Sequence, residues 1–143
     1  MKRFLSSAPL LYDEGLALLR IVTGAFMIYH GYEVFLPDKM KGYEQWLGDI
    51  RFPSPSLMAY LGKGAEFVGG LLLAIGLLTR FAAITLAVTM AVISFGLGKG
   101  RIFMEEQHPF LFVLIAVLFL FTGAGKWSLD HVLFEKKPNA GIK

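Results

Sequence analysis

Two apolar segments, from about Leu57 to Leu78 and from about Phe81 to Leu97, are joined by Thr79-Arg80 alone. So short a connection forces them side by side and antiparallel. Each approaches the ~20 helical residues needed to cross a bilayer core of about 30 Å, so the pair predicts a transmembrane hairpin. Two more segments have the same character, from about Leu16 to Phe35 and from about Pro109 to Gly123. The sequence therefore predicts an all-α chain forming one domain over residues 1–143. It is a four-transmembrane-helix bundle with spans at about 16–35, 57–78, 81–97 and 109–123. Composition agrees: hydrophobic residues make up 55 % and charged residues 17 %, against roughly 25 % charged in soluble domains. A soluble chain this small could not bury that much apolar surface.

The longest loop, 36–56, carries Met40, Tyr43, Trp46 and Leu47 at helical spacing, with Lys39, Lys41, Glu44 and Asp49 elsewhere. That pattern predicts a short helix lying in the membrane interface. Phe52-Pro53-Ser54-Pro55-Ser56 turns the chain back, with Ser56 as the expected cap of the second span. The run Gly96-Leu97-Gly98-Lys99-Gly100 closes the third span, and Ser128 to Phe134 suits one short amphipathic turn. With four spans both termini share a side. That side holds Lys2, Arg3, Arg80, Lys126, Lys136, Lys137 and Lys143, against Lys39, Lys41, Arg51, Lys99 and Arg101 opposite. The bias predicts cytoplasmic termini of a multi-pass protein. The early break at Ser6-Ser7-Ala8-Pro9 argues against a cleaved signal, so the first span is expected to stay as an anchor.

The chain has no cysteine, which excludes disulfides and thiolate cluster ligation. No basic run interleaved with aromatics suggests nucleic acid. The informative groups are ionisable residues inside the apolar segments. A carboxylate such as Glu66 costs on the order of 2.5–3.5 kcal/mol in hydrocarbon even on the mildest scale, so it needs a partner, a proton or a ligand. Arg20 and His30 lie in the first span. Topology brings His30, Glu33, Lys63, Glu66, Glu105, Glu106, Gln107 and His108 toward the non-cytoplasmic level. Small residues share faces with these groups: Arg20, Gly24, Met27 and Gly31 on the first span, and Gly62, Glu66, Gly69, Gly70 and Ala74 on the second. Such stripes let helices approach closely in lipid.

Two readings follow. In one, Arg20, His30 and Glu66 form the base of an outward-facing polar pocket with apolar walls, Arg80 supports its inner end, and His108 joins at the mouth. That is the general form of a small-molecule site, and a His and a carboxylate would suit the oxygens of a quinone. In the other, the charges only hold helices together, and the protein is a non-enzymatic adaptor or assembly factor. His30 and His108 lie at similar depth on different helices, which is compatible with bis-histidine haem ligation. No CxxCH or HExxH accompanies them, and the reading takes no intrinsic cofactor or metal.

Three segments carry a family resemblance. The first span has Leu19-Arg20-Ile21, Gly24, Phe26 and Tyr29-His30-Gly31. The middle has Ala65-Glu66-Phe67-Val68-Gly69-Gly70-Leu71-Leu72-Leu73, then Gly76-Leu77-Leu78-Thr79-Arg80-Phe81-Ala82-Ala83. The end has Gly123-Ala124-Gly125-Lys126-Trp127-Ser128-Leu129-Asp130. Together they resemble the DoxX family of small bacterial four-helix membrane proteins over about residues 15–131. Ala124 stands where the family carries proline, Glu33 lies near a position where it often has lysine, and Gln107 or Glu106 stands near a customary glutamate. The resemblance implies a bacterial inner-membrane location and, through a thiosulfate:quinone oxidoreductase subunit in one branch, a link to quinone-dependent redox systems. The expected partners are membrane lipid, a lipophilic small molecule and a protein partner or second copy, since this chain alone offers no electron carrier.

Overall fold

The computed structural model describes residues 10–135. Lys2, Arg3, the break at Ser6–Pro9, and Lys136, Lys137 and Lys143 lie outside the described residues. Those described are all-helical, with no strand. Helix α1 covers Tyr12–Gly31 and passes through a 3-10 turn, Tyr32–Phe35, into α2, Pro37–Asp49. Helix α3 covers Pro55–Ile75, α4 covers Thr79–Ala91, α5 covers Gln107–Thr122 and α6 covers Leu129–Phe134.

Among the described residues, two helices are long and apolar enough to cross a membrane: α3, and α4 together with its extension to Leu97. Helix α1 has the length, 20 residues, but carries Asp13, Glu14 and Arg20. Helix α5 is strongly apolar but only 16 residues long.

Glycine sets the α1–α3 contact. A Cβ at Gly24 would fall 2.6 Å from the Ala74 nitrogen and the Gly70 oxygen, and one at Gly70 would fall 2.7 Å from the Ile28 nitrogen. A Cβ at Gly31 would collide with the Phe67 backbone. The stripe read from the sequence therefore packs backbone on backbone, and all four of its α1 members, Arg20, Gly24, Met27 and Gly31, are buried. Gly69 turns the adjacent face of α3 toward Leu86 of α4. Met27, Leu73, Ala83, Leu86, Ala116 and Phe119 fill the central core. Gly62 differs from Gly69 and Gly70 of the same stripe, because a Cβ there meets open space.

The ends of the helices shift from their expected positions for local reasons. Helix α3 stops at Ile75 because Gly76 takes a left-handed conformation, φ +70°, and ends the helix. The α3–α4 connection is thus Gly76-Leu77-Leu78, with Thr79-Arg80 opening α4. The expected cap at Ser56 is not used: the helix begins at Pro55, after Ser54, without a side-chain cap. Past Ala91 the fourth helix widens into π geometry over Val92–Leu97, where the Gly98 nitrogen donates to the Ile93 oxygen at 2.7 Å. Glu106 holds the following loop. Its Oε1 accepts from the Lys99 nitrogen at 3.0 Å, and a Cβ on Gly98 would fall 2.5 Å from its Cγ. The buried acid before α5 is therefore Glu106, while Gln107 is exposed.

Candidate functional site

Helix α1 begins, α3 ends, α4 begins and α5 ends at one pole of the bundle, called inner here. Side chains on a helix tilt toward its N-terminus. Arg20, on α1, therefore leans toward the inner pole. Lys63 and Glu66, on the antiparallel α3, lean toward the outer one. That divergence separates Arg20 from Glu66, which the pocket reading of the sequence placed together at one base.

Arg20, 2 % exposed, donates from Nη2 to the Trp127 carbonyl at 2.5 Å. Its guanidinium fills the space beside Gly76, where any Cβ would overlap it. Asp130 supplies the opposing charge. The Asp130 carboxylate also accepts from the Leu78 nitrogen at 2.7 Å and the Thr79 nitrogen at 2.9 Å, capping α4 from a distant part of the chain. The Asp130 nitrogen donates to the Gly76 carbonyl at 2.8 Å. Ser128 caps α6 by accepting from the His131 nitrogen at 3.2 Å. The Trp127-Ser128-Leu129-Asp130 segment thus works as a clasp over the inner pole. Arg80 is exposed and lines a shallow inner cavity of about 610 Å³ with Tyr12, Asp13, Lys126 and Asp130.

At the outer pole Glu66, 3 % exposed, accepts from Lys63 Nζ at 3.0 Å through Oε2. The same Nζ lies 3.1 Å from Glu33 Oε2 and donates to the His30 carbonyl at 3.3 Å. Three oxygens of the chain thus surround the ammonium, two of them as hydrogen-bond acceptors, and the Tyr43 ring lies 4.8 Å from Nζ. The Tyr43 hydroxyl donates to Glu33 Oε2 at 2.5 Å, and Lys39 stands 3.8 Å from Glu33 Oε1. Glu33 lies beyond the end of α1, in the 3-10 turn. Partial burial pushes its carboxyl up, but Tyr43, Lys63 and Lys39 outweigh this and hold it below the usual range. Burial and the bond to Glu33 raise the Tyr43 hydroxyl.

His30 contributes its backbone to this cluster rather than its ring. The ring stands edge-on to His108, centroids 5.5 Å apart, and His108 in turn meets Phe112 at 5.0 Å. Among the described residues no three His, Asp or Glu side chains converge.

A cavity of about 630 Å³ opens between α2, α3 and α4. Its walls include Leu47, Phe52, Met58, Val88, Val92 and Ile93, and its polar lining is Tyr43, Trp46, Lys63, Glu66 and Thr89. Of the five residues singled out in the sequence, Arg20, His30, Glu66, Arg80 and His108, only Glu66 lines it. Lys63, Glu33 and Tyr43 were missed as a unit. The available signal was the i, i+3 spacing of Lys63 and Glu66, which puts the two on one helix face.

The DoxX family profile matches residues 15–98. A protein of Bacillus subtilis named "Putative oxidoreductase CatD" is 32 % identical over 133 residues, covering 92 % of this chain and 96 % of the relative. An uncharacterized protein of Haemophilus influenzae is 38 % identical, covering 85 % and 92 %. The "Uncharacterized membrane protein Rv3486" of Mycobacterium tuberculosis is 30 % identical, covering 96 % and 97 %. No solved structure matches. The profile match and the near full-length likeness to these relatives make this chain a member of the DoxX family, and a membrane protein.

Proposed function

We propose that this protein is an integral subunit of a membrane redox system and holds a quinone or similar lipophilic small molecule in the cavity between α2, α3 and α4. The observation that carries the reading is the composition of that cavity: apolar walls together with the buried Glu66 and its partner Lys63. Small-molecule sites have this form, a hydrophobic enclosure with a few placed polar groups. The name of the Bacillus subtilis relative supports the redox context. Electrons would come from or go to a protein partner.

The same reading takes α1, α3, extended α4 and α5 as four spans of a bacterial inner membrane, with both termini cytoplasmic. Leu18, Ile21, Val22 and Phe26 on α1, and Leu111, Leu114, Leu118 and Phe121 on α5, are exposed. Faces like these need lipid rather than water. The Arg20–Asp130 clasp favours the structural reading for those two residues, since their bonds close the fold and face the other pole.

The test is mass spectrometry of lipophilic material carried through purification. Wild-type protein is expected to retain a quinone-class molecule in near-equimolar amount. Gly62→Leu, which projects a side chain from an open position on the cavity wall, is expected to lose it while remaining folded. An empty wild-type protein, or equal retention by the folded variant, contradicts the assignment.

A further inference from the structure

The hydrogen-bonding inventory of the cavity distinguishes between the oxidation states of such a ligand. Five polar side chains line it. The Lys63 ammonium donates to Glu66 and to the His30 carbonyl and stands 3.1 Å from Glu33, so the oxygens around it all belong to the chain itself. The Tyr43 hydroxyl proton goes to Glu33, and the Thr89 hydroxyl proton goes to the Thr85 carbonyl at 2.9 Å. Each hydroxyl keeps lone pairs but has no proton left to give. Glu66, in contact with an ammonium at 3.0 Å, is a carboxylate and only accepts. Its Oε1 has no hydrogen-bond partner among the described residues. The one uncommitted side-chain donor is the Trp46 indole, on a half-exposed residue of the interfacial helix rather than at the buried end.

The buried end therefore accepts hydrogen bonds and offers none. A quinone carbonyl also only accepts, so it would meet lone pairs there. A hydroxyl on an aromatic ring would meet Glu66 Oε1 with a proton to donate. We infer that the cavity selects the reduced, hydroxyl-bearing form of a lipophilic aromatic ligand, a hydroquinone or alkylphenol, over the quinone, with Glu66 as the acceptor that sets the preference. This inference rests on the small-molecule reading of the cavity and adds the chemical class of the ligand.

The experiment measures equilibrium binding of a redox-inert pair, 4-decylphenol and its methyl ether 4-decylanisole, to detergent-solubilised protein, with decylbenzoquinone as a third probe. Corrections come from protein-free micelles. The phenol is expected to bind at least about tenfold more tightly than the ether and the quinone, the scale of one hydrogen bond to a charged acceptor. Glu66→Gln places an amide that can donate in the same space, so it is expected to narrow or reverse the gap between phenol and quinone. Equal affinities for phenol and ether, or tighter binding of the quinone to wild-type protein, overturn the inference and leave the cavity assignment standing. Binding of none of the three overturns both. The wild-type comparison decides even if Glu66→Gln fails to fold, and Thr89→Val serves as a second variant that leaves Glu66 intact. Its phenol preference is expected to persist, and loss of that preference moves the selecting acceptor from Glu66 to Thr89.

Discussion

At the inner pole, the hydrogen bonds that Arg20 and Asp130 make go to the backbone of Trp127, Leu78 and Thr79, and Arg20 Nε and Nη1 are closed in without a partner or a cavity among the described residues. At the outer pole, Lys63 is surrounded by two carboxylates and a carbonyl, yet one Glu66 oxygen stays unbonded beside a cavity. Both poles bury charge in a bundle with few charges to place. The inner arrangement fixes a tight turn and anchors the last helix, with the cation packed against a glycine that admits no side chain. The outer arrangement carries two carboxylates on one ammonium and is braced from α2, the helix that also walls the cavity. Buried charge by itself is therefore no guide to a site. The useful distinction is whether a polar atom is turned to the chain's own backbone or to open volume.

The comparison predicts its largest effect at Gly76. Gly76→Ala combines an unfavourable backbone conformation, φ +70°, with a Cβ inside the Arg20 guanidinium. It is expected to abolish monodisperse folded protein in size-exclusion chromatography, and normal folding would show that the clasp is loose. Next, Asp130→Ala removes both the cap on α4 and the charge facing Arg20. A loss of about 3–5 kcal/mol in unfolding stability is expected, the scale for leaving a buried charge unpaired, while ligand retention per folded molecule stays unchanged. At the outer pole Lys63→Met is expected to cost more than the Lys63→Met/Glu66→Gln double variant, because the single change strands a carboxylate. The interaction energy should fall at about 0.5–3 kcal/mol. Additive losses would mean that the pair is not coupled.

Acid should loosen α2 from the bundle. The folded Glu33 carboxyl lies below its ordinary value of 4.5. Its contribution is therefore complete above that value and is lost as pH falls through the lower folded one. Thermal stability is expected to decline below about pH 4.5, with Glu33→Gln flattening that part of the profile. The smallest effect is Tyr43→Phe, which removes one hydrogen bond to Glu33 and should cost roughly 1.5 kcal/mol by the same unfolding assay. No change would show that Tyr43 does not tie α2 to the bundle.

Much of the fold was legible because apolar length and glycine spacing are local signals. The hairpin around Thr79, the α1–α3 glycine contact and the amphipathic α2 all follow from residues close in sequence. Glu66 was legible as well, since a carboxylate among Gly, Phe and Leu stands out. Its partner was not. The pocket reading put Arg20 beside Glu66, but the opposite tilt of side chains on antiparallel helices carries them to different poles. The clasp was hidden for another reason: Asp130 and Leu78 are 52 residues apart, and nothing local announces that an aspartate in the tail caps a helix start in the middle of the chain. The cavity depends on how α2 docks against α3 and α4, a tertiary outcome with no sequence period of its own.

Photolabelling of the reconstituted protein with a lipophilic aromatic diazirine, mapped by peptide mass spectrometry, tests the central claim most directly. Label is expected to concentrate on Leu61–Glu66 of α3 and on Val88–Ile93 of α4 and its extension, and to be displaced by excess 4-decylphenol. Label spread evenly over the lipid-facing residues of all helices, or gathered at the inner cavity around Leu78–Phe81, would contradict it.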